Sequence, residues 1–231
     1  METKKIINRE LSRMEAFRLL SECYFLPNPV LSEVLDNLEL LLGNVSKSAS
    51  NCVRHMRKEA ENGLDLEALK IDFAKLFVGP YKLLAAPYGS VYLDDGRTLM
   101  GNSTLDVKNR YREEGLDTGK NFKDAPDHIT AELEFMYYLI YKEIEAVSNS
   151  DMEAAIGFIQ KQKCFLESHL IAWVPEFAGN IIENADTLFY QNLAKATQSF
   201  LIENYQVVCA TLDSGQFNSE KRIEINSLRV Q

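Results

Sequence analysis

From Ile129 onward, Leu133, Met136, Leu139 or Ile140, Ile144 and Val147 recur at steps of three and four, the spacing that places side chains on one face of a helix. Proline at a first helical position gives up no hydrogen bond. Pro126, with Asp124 or Ala125 as cap and Asp127 in the first turn, therefore predicts a helix from 126 to about 148. Asp127 and His128 then stand at the helix mouth as a polar pair able to titrate near neutral pH; the plainer reading is an N-terminal aspartate beside an ordinary histidine.

The same period continues on both sides. Arg9 to Leu26 carries Leu11, Met14, Phe17, Leu19 or Leu20, and Tyr24 at helical spacing; Asn28 and Pro29 then cap and open a second helix that ends at Gly43. A weaker helix spans about Ser46 to Asn62, and Gly63 closes it. Asp65 caps a fourth helix, bearing Leu66, Leu69, Phe73, Leu76 and Phe77, which Gly79 and Pro80 end. After the long helix, Ser150 and Glu153 form a capping-box pattern for a helix through Ala155, Phe158, Ile159, Phe165, Leu166 and His169, broken at Trp173, Val174 and Pro175. A last helix begins near Asp186 and runs through Phe189, Leu193, Phe200 and Val208.

Between Gly79 and Gly101 the period disappears. Pro87, Gly89 and Gly96 punctuate a stretch that also holds Tyr81, Tyr88 and Tyr92; a hairpin there would lack a third strand, so the expectation is an ordered, aromatic-rich loop. Ser103 or Thr104 caps a short helix through Val107 and Tyr111 to Gly115. With no convincing strand and no internal repeat, the fold class is all-α: one helical domain over 1–212, followed by a polar tail over 213–231.

Composition narrows the function. At 231 residues and 46% hydrophobic, the chain can bury a sizeable core. Its net charge of -9 argues against sequence-independent binding of nucleic acid and favours a cationic partner. Cys23, Cys52, Cys164 and Cys209 form no CxxC pair and suit a reducing cytoplasm; no secretory signal and no apolar run of membrane-spanning length is expected.

The common phosphate-loop, dinucleotide, nucleophile-elbow and HExxH signatures are absent. His128 with Glu132, four residues on, supplemented by Asp127 or His169, is the best metal candidate, and a solvated helix face is the plainer reading. Tyr24, Phe77, Tyr88 and Tyr92 could line an apolar groove, although aromatics at helical spacing, Phe77 above all, usually belong to a core. Tyr88, between Pro87 and Gly89, suits a surface better.

Taken in order, Asp72-Phe73-Ala74-Lys75-Leu76-Phe77-Val78-Gly79-Pro80, Ala86-Pro87-Tyr88-Gly89-Ser90-Val91-Tyr92 and Ala125-Pro126-Asp127-His128-Ile129-x-x-Glu132-Leu133-x-x-Met136 resemble the TorD/DmsD family. His169-Leu170-x-x-Trp173-x-Pro175-x-Phe177, followed by Phe189-Tyr190-x-x-Leu193-Ala194, is similar to that family's C-terminal pattern, so the likeness runs from about residue 10 to 205. The resemblance implies an all-helical cytoplasmic chaperone, not an enzyme and without a cofactor of its own. Such a chaperone binds the twin-arginine signal peptide and catalytic subunit of a molybdenum-cofactor oxidoreductase and delays export until the cofactor is inserted. A homo-oligomer is compatible with this.

Carried over by motif, the peptide-binding region would include Phe77, Pro87, Tyr88, Gly101, Asp127 and His128, with Tyr24 in addition. An apolar groove would take the hydrophobic part of the signal, and acidic groups such as Asp127 would meet its arginines. The chain departs from the pattern at Asp124-Ala125, where many members have an acidic residue followed by proline, and at Tyr88, a position often filled by tryptophan. A second reading, from a different class, is a small metal- or nucleotide-dependent helical enzyme using His128, Asp127 and Glu132; some members of the family have been linked to guanine nucleotides.

Overall fold

The computed structural model describes residues 2–61, 63, 65–79, 83–119 and 122–214. Helices α1 (Glu2–Glu22), α2 (Leu31–Gly43), α3 (Lys47–Glu61) and α4 (Leu66–Phe73) come first, α4 running on into a π turn over Ala74–Val78. Then follow α5 (Ser90–Leu93), a 3-10 turn (Asp95–Arg97), α6 (Asn102–Glu113), α7 (Ile129–Ser148) and α8 (Met152–Phe165). A second π turn (Leu166–Leu170) leads into α9 (Ile171–Asn184), and α10 (Leu188–Asp213) closes the described chain. No strand occurs among the described residues, and the all-α expectation holds.

The main packing forms a circuit in which α8 lies on α7, α7 on α1, α1 on α2, α2 on α3, α3 on α10 and α10 on α9. Phe17, Phe165, Trp173, Phe177, Tyr190 and Phe200 are fully buried at its centre, and Phe17 meets Phe200 with ring centroids 4.7 Å apart. Each such side chain contributes about 1.5–3 kcal/mol by leaving water, so the apolar stripes read from the period account for the bundle. One polar layer crosses this core. Arg13 of α1 pairs with Glu10 and donates to Asn204 of α10 at 2.8 Å and to Gln162 of α8 at 2.7 Å, while Gln162 donates to Glu143 of α7 at 2.6 Å.

Several helix ends differ from expectation because their caps come from elsewhere. The long helix begins at Ile129, not 126: His128 is its N-cap with ψ 141°, accepting from the Thr130 amide, and Pro126 lies in the preceding turn. Asn28 accepts from the Val30 amide at 2.9 Å, so α2 starts at Leu31 rather than at Pro29. Asp151, not Ser150, caps α8, and Ser150 takes φ 60°. Pro175 does not break the chain; it sits inside α9, just after the π turn. At the start of α10, Asp72 of α4 accepts from the Asp186 and Thr187 amides at 3.2 and 2.8 Å. Asp65, Gly63 and Gly115 behave as read, with Asp65 accepting from Ala68 and both glycines at positive φ. Gly43 ends α2 without entering the left-handed region. Pro80, Tyr81 and the tail from 215 lie outside the described residues.

Candidate functional site

The site forms where the 87–93 stretch closes over the start of α7. An isolated antiparallel bridge joins Tyr88 to His128: the Gly89 amide donates to the Asp127 carbonyl and the Ile129 amide to the Pro87 carbonyl, both at 2.9 Å. Asp127 then turns its side chain inward, where Oδ2 accepts from the Ser90 amide at 2.7 Å and holds the first turn of α5. Asp127 is 0% exposed and Pro87 is buried. The expectation that Asp127 stands at the surface of a helix mouth to meet arginines therefore fails geometrically, because the loop covers it.

His128 is 8% exposed. Its Nδ1 accepts from the Thr130 amide at 3.3 Å and lies 2.7 Å from the Thr130 hydroxyl, which leaves the ring proton of the neutral form on Nε2. Burial lowers its pKa, against the opposing pull of Asp124 and Asp127, so the ring is neutral at pH 7. Tyr88 meets it edge-on, with centroids 5.2 Å apart, and Phe122 lies on it at 6.2 Å. The Tyr88 hydroxyl donates to exposed Asp124 at 2.8 Å; burial and that carboxylate raise the phenol's pKa. Tyr88 and Phe122, backed by the buried His128 ring, thus form an aromatic surface with an acid at its edge.

Beneath that surface lies Glu132, fully buried, whose Oε2 accepts from the Trp173 indole at 2.9 Å. Burial pushes its carboxyl well above the usual range, and Asp127 adds to this, while the indole opposes it. Gly89 is wedged against the pair: a Cβ there would stand 3.1 Å from Trp173 Nε1 and 3.2 Å from Glu132 Oε1. Tyr92 stacks on Trp173 at 5.5 Å. His169 pairs with Asp106 at 2.7 Å. His128, Asp127 and Glu132 each face a different partner, and no cluster of three or more metal-ligating side chains occurs among the described residues.

The remaining residues singled out by motif do not join this surface. Tyr24 and Phe77 are 3% and 7% exposed, pack edge-on at 6.2 Å and share Phe177 as a neighbour; Tyr24 also bonds to Thr197 at 2.9 Å. They are core, as helical spacing suggests for aromatics. Gly101 sits at the start of α6, where Asp94 accepts from the Ser103 amide and hydroxyl. Sequence reasoning missed Phe122 as a ring partner of His128, Asp124 as the partner of Tyr88, and Asp94 as a cap. Phe122, six positions before His128, had a local signal in its nearness to the motif; Asp94 had none.

Beside Phe122 the aromatic surface continues into a cavity of about 640 Å³ between α1, residues 116–119 and α7. Tyr111, Phe135 and Tyr138 line it, and Glu22, Asp117 and Glu134 stand around it. Among the described residues, no helix is long and apolar enough to cross a membrane.

Residues 31–179 match the family model described as nitrate reductase delta subunit. The chain is 29% identical over 144 residues to the chaperone protein TorD of Vibrio parahaemolyticus, covering 62% of this chain and 65% of that protein. It is 31% identical over 140 residues to TorD of Photobacterium profundum, covering 61% and 62%, and 31% identical over 137 residues to the Tat proofreading chaperone DmsD of Salmonella typhi, covering 59% and 60%. It thus spans less than two thirds of the length of each of these relatives. A crystal structure described as that of a redox enzyme maturation protein from Archaeoglobus fulgidus shares the fold, with a TM-score of 0.50 at 21% identity over 84% of this chain and 93% of that one. The family match runs from α2 into α9 and contains the Tyr88–His128 bridge, and on that ground the chain belongs to the nitrate reductase delta subunit family, with the TorD and DmsD chaperones among its relatives.

Proposed function

We propose that this protein is a cytoplasmic chaperone that binds the twin-arginine signal peptide of the catalytic subunit of a molybdenum-cofactor oxidoreductase and assists its maturation before export. The curated relatives named as chaperones support the class. The single observation that carries the peptide site is the half-buried ring of Tyr88, set against His128 and tied to exposed Asp124, beside an aromatic cavity. Apolar rings with acids at their edge suit a segment that is hydrophobic over part of its length and cationic over another.

The seven motif residues divide by depth. Tyr88 presents the surface, and buried His128 backs its ring. Pro87 and Asp127 hold the loop that carries Tyr88, and Gly101 permits the Asp94 cap beside it. Tyr24 and Phe77 act only through the core. The groups an enzyme would use are turned inward, His128 to Thr130 and Glu132 to Trp173, which favours binding over catalysis.

Tyr88→Ala tests this by fluorescence anisotropy with a labelled twin-arginine signal peptide. A central aromatic anchor at a binding surface is worth 1–2 kcal/mol or more, so affinity should fall about tenfold while the melting temperature changes little. Unchanged affinity in Tyr88→Ala would remove this surface from the peptide site.

A further inference from the structure

If Asp127 is enclosed, a peptide's arginine must be read elsewhere. The 640 Å³ cavity has aromatic walls in Tyr111, Phe122, Phe135 and Tyr138, and among the described residues that line it the acids Glu22, Asp117 and Glu134 outnumber the one cation. That cation, Arg18, is already held by Glu15 at 2.7 Å and by Glu22. Among the described residues no ion pair engages Glu134 or Asp117. Glu134 of α7 is an exposed residue that lines the cavity; burial and the neighbouring Glu22 both push its carboxyl up, so an added cation there lowers the local electrostatic cost.

A guanidinium is flat, weakly hydrated and always charged. It stacks on aromatic faces and pairs with a carboxylate through two parallel hydrogen bonds, whereas an ammonium does neither as well. We propose that this cavity, and not Asp127, receives an arginine side chain of the bound peptide, with its guanidinium at Glu134 and the aliphatic stem along the aromatic wall. The inference rests on the peptide-binding reading above and assigns the charge-reading part of that site. Phe122, which touches both His128 and the cavity, connects it to the Tyr88 surface. A peptide lying across both would place its apolar part on Tyr88.

The test titrates wild type, Glu134→Gln, Ala131→Trp and Tyr88→Ala with two labelled peptides by anisotropy across a salt series. One peptide carries paired arginines before a leucine-rich stretch; the other has both arginines replaced by glutamine. Loss of a charged hydrogen-bond partner should weaken the arginine peptide about tenfold in Glu134→Gln, leave the glutamine peptide unmoved and flatten the salt dependence. Ala131→Trp, which fills the cavity from α7, should weaken the arginine peptide at least as much. Equal effects of Glu134→Gln on both peptides, or none on either, overturn the cavity assignment; if Tyr88→Ala still weakens binding, the peptide-binding reading stands without it. Failure of wild type to bind either peptide overturns both.

Discussion

Glu143 offers the sharpest link between structure and measurement. It is 3% exposed on α7, and the guanidinium of the polar layer pairs with Glu10 and donates to Asn204 and Gln162, so Glu143 receives only the neutral amide of Gln162. Two buried carboxyls thus share one cation. Burial first, and Glu10 second, raise the Glu143 carboxyl to about 7, while Arg13 and the Gln162 hydrogen bond oppose the rise. A carboxyl whose pKa is raised by folding contributes stability that is fully present below its ordinary value of 4.5 and is lost as pH rises through about 7. The difference between those values, at about 1.4 kcal/mol per unit, amounts to about 3 kcal/mol lost between the acid side and mildly alkaline pH. Glu143→Gln keeps the shape and an oxygen that accepts from Gln162 but never ionises. Urea denaturation of both proteins from pH 5 to 8.5 isolates the effect from the other titrating groups. The stability of the variant relative to wild type should increase with pH, by up to about 3 kcal/mol across the transition. A difference that stays constant with pH would refute the reasoning and mean that Arg13 keeps Glu143 ionised.

Gly101→Ala should destabilise by about 1–3 kcal/mol, because the new Cβ would stand 2.2 Å from Asp94 Oδ2 and force the α6 cap aside; Asp94→Ala should cost about 1 kcal/mol through loss of that cap, both read by thermal unfolding. His128 should titrate by NMR with a midpoint below 6.5, since burial disfavours its charged form. Its contribution to stability is then present above 6.5 and lost as pH falls through the lowered value, where protonation removes the acceptor for the Thr130 amide. A midpoint at or above 6.5 would mean that Asp124 and Asp127 outweigh burial.

Local chemistry decided much of this molecule. The apolar period places α7 and its inward residues Ile129, Leu133, Met136 and Ile140, and the other helical stripes follow the same rule. Asp65 and Gly63 act within one turn of their own positions, so their roles could be read from neighbours alone. The linear blocks around Phe77, Tyr88 and His128 carry the family likeness for the same reason. Tertiary structure decided what depends on contacts between distant residues. Asp72 caps amides 114 and 115 positions away, Asp127 caps α5 from 37 positions on, and no window of sequence contains both partners of either cap. Pairing of 87–89 with 127–129 turns an apparently open helix mouth into a covered one, which buries Asp127 and leaves Tyr88 as the outward ring. Pro175 lies within a helix because packing of α9 against α10 outweighs the one backbone donor it lacks. Burial, not residue type, separates Tyr88 from Tyr24 and Asp124 from Asp127, and burial is a property of the assembled bundle.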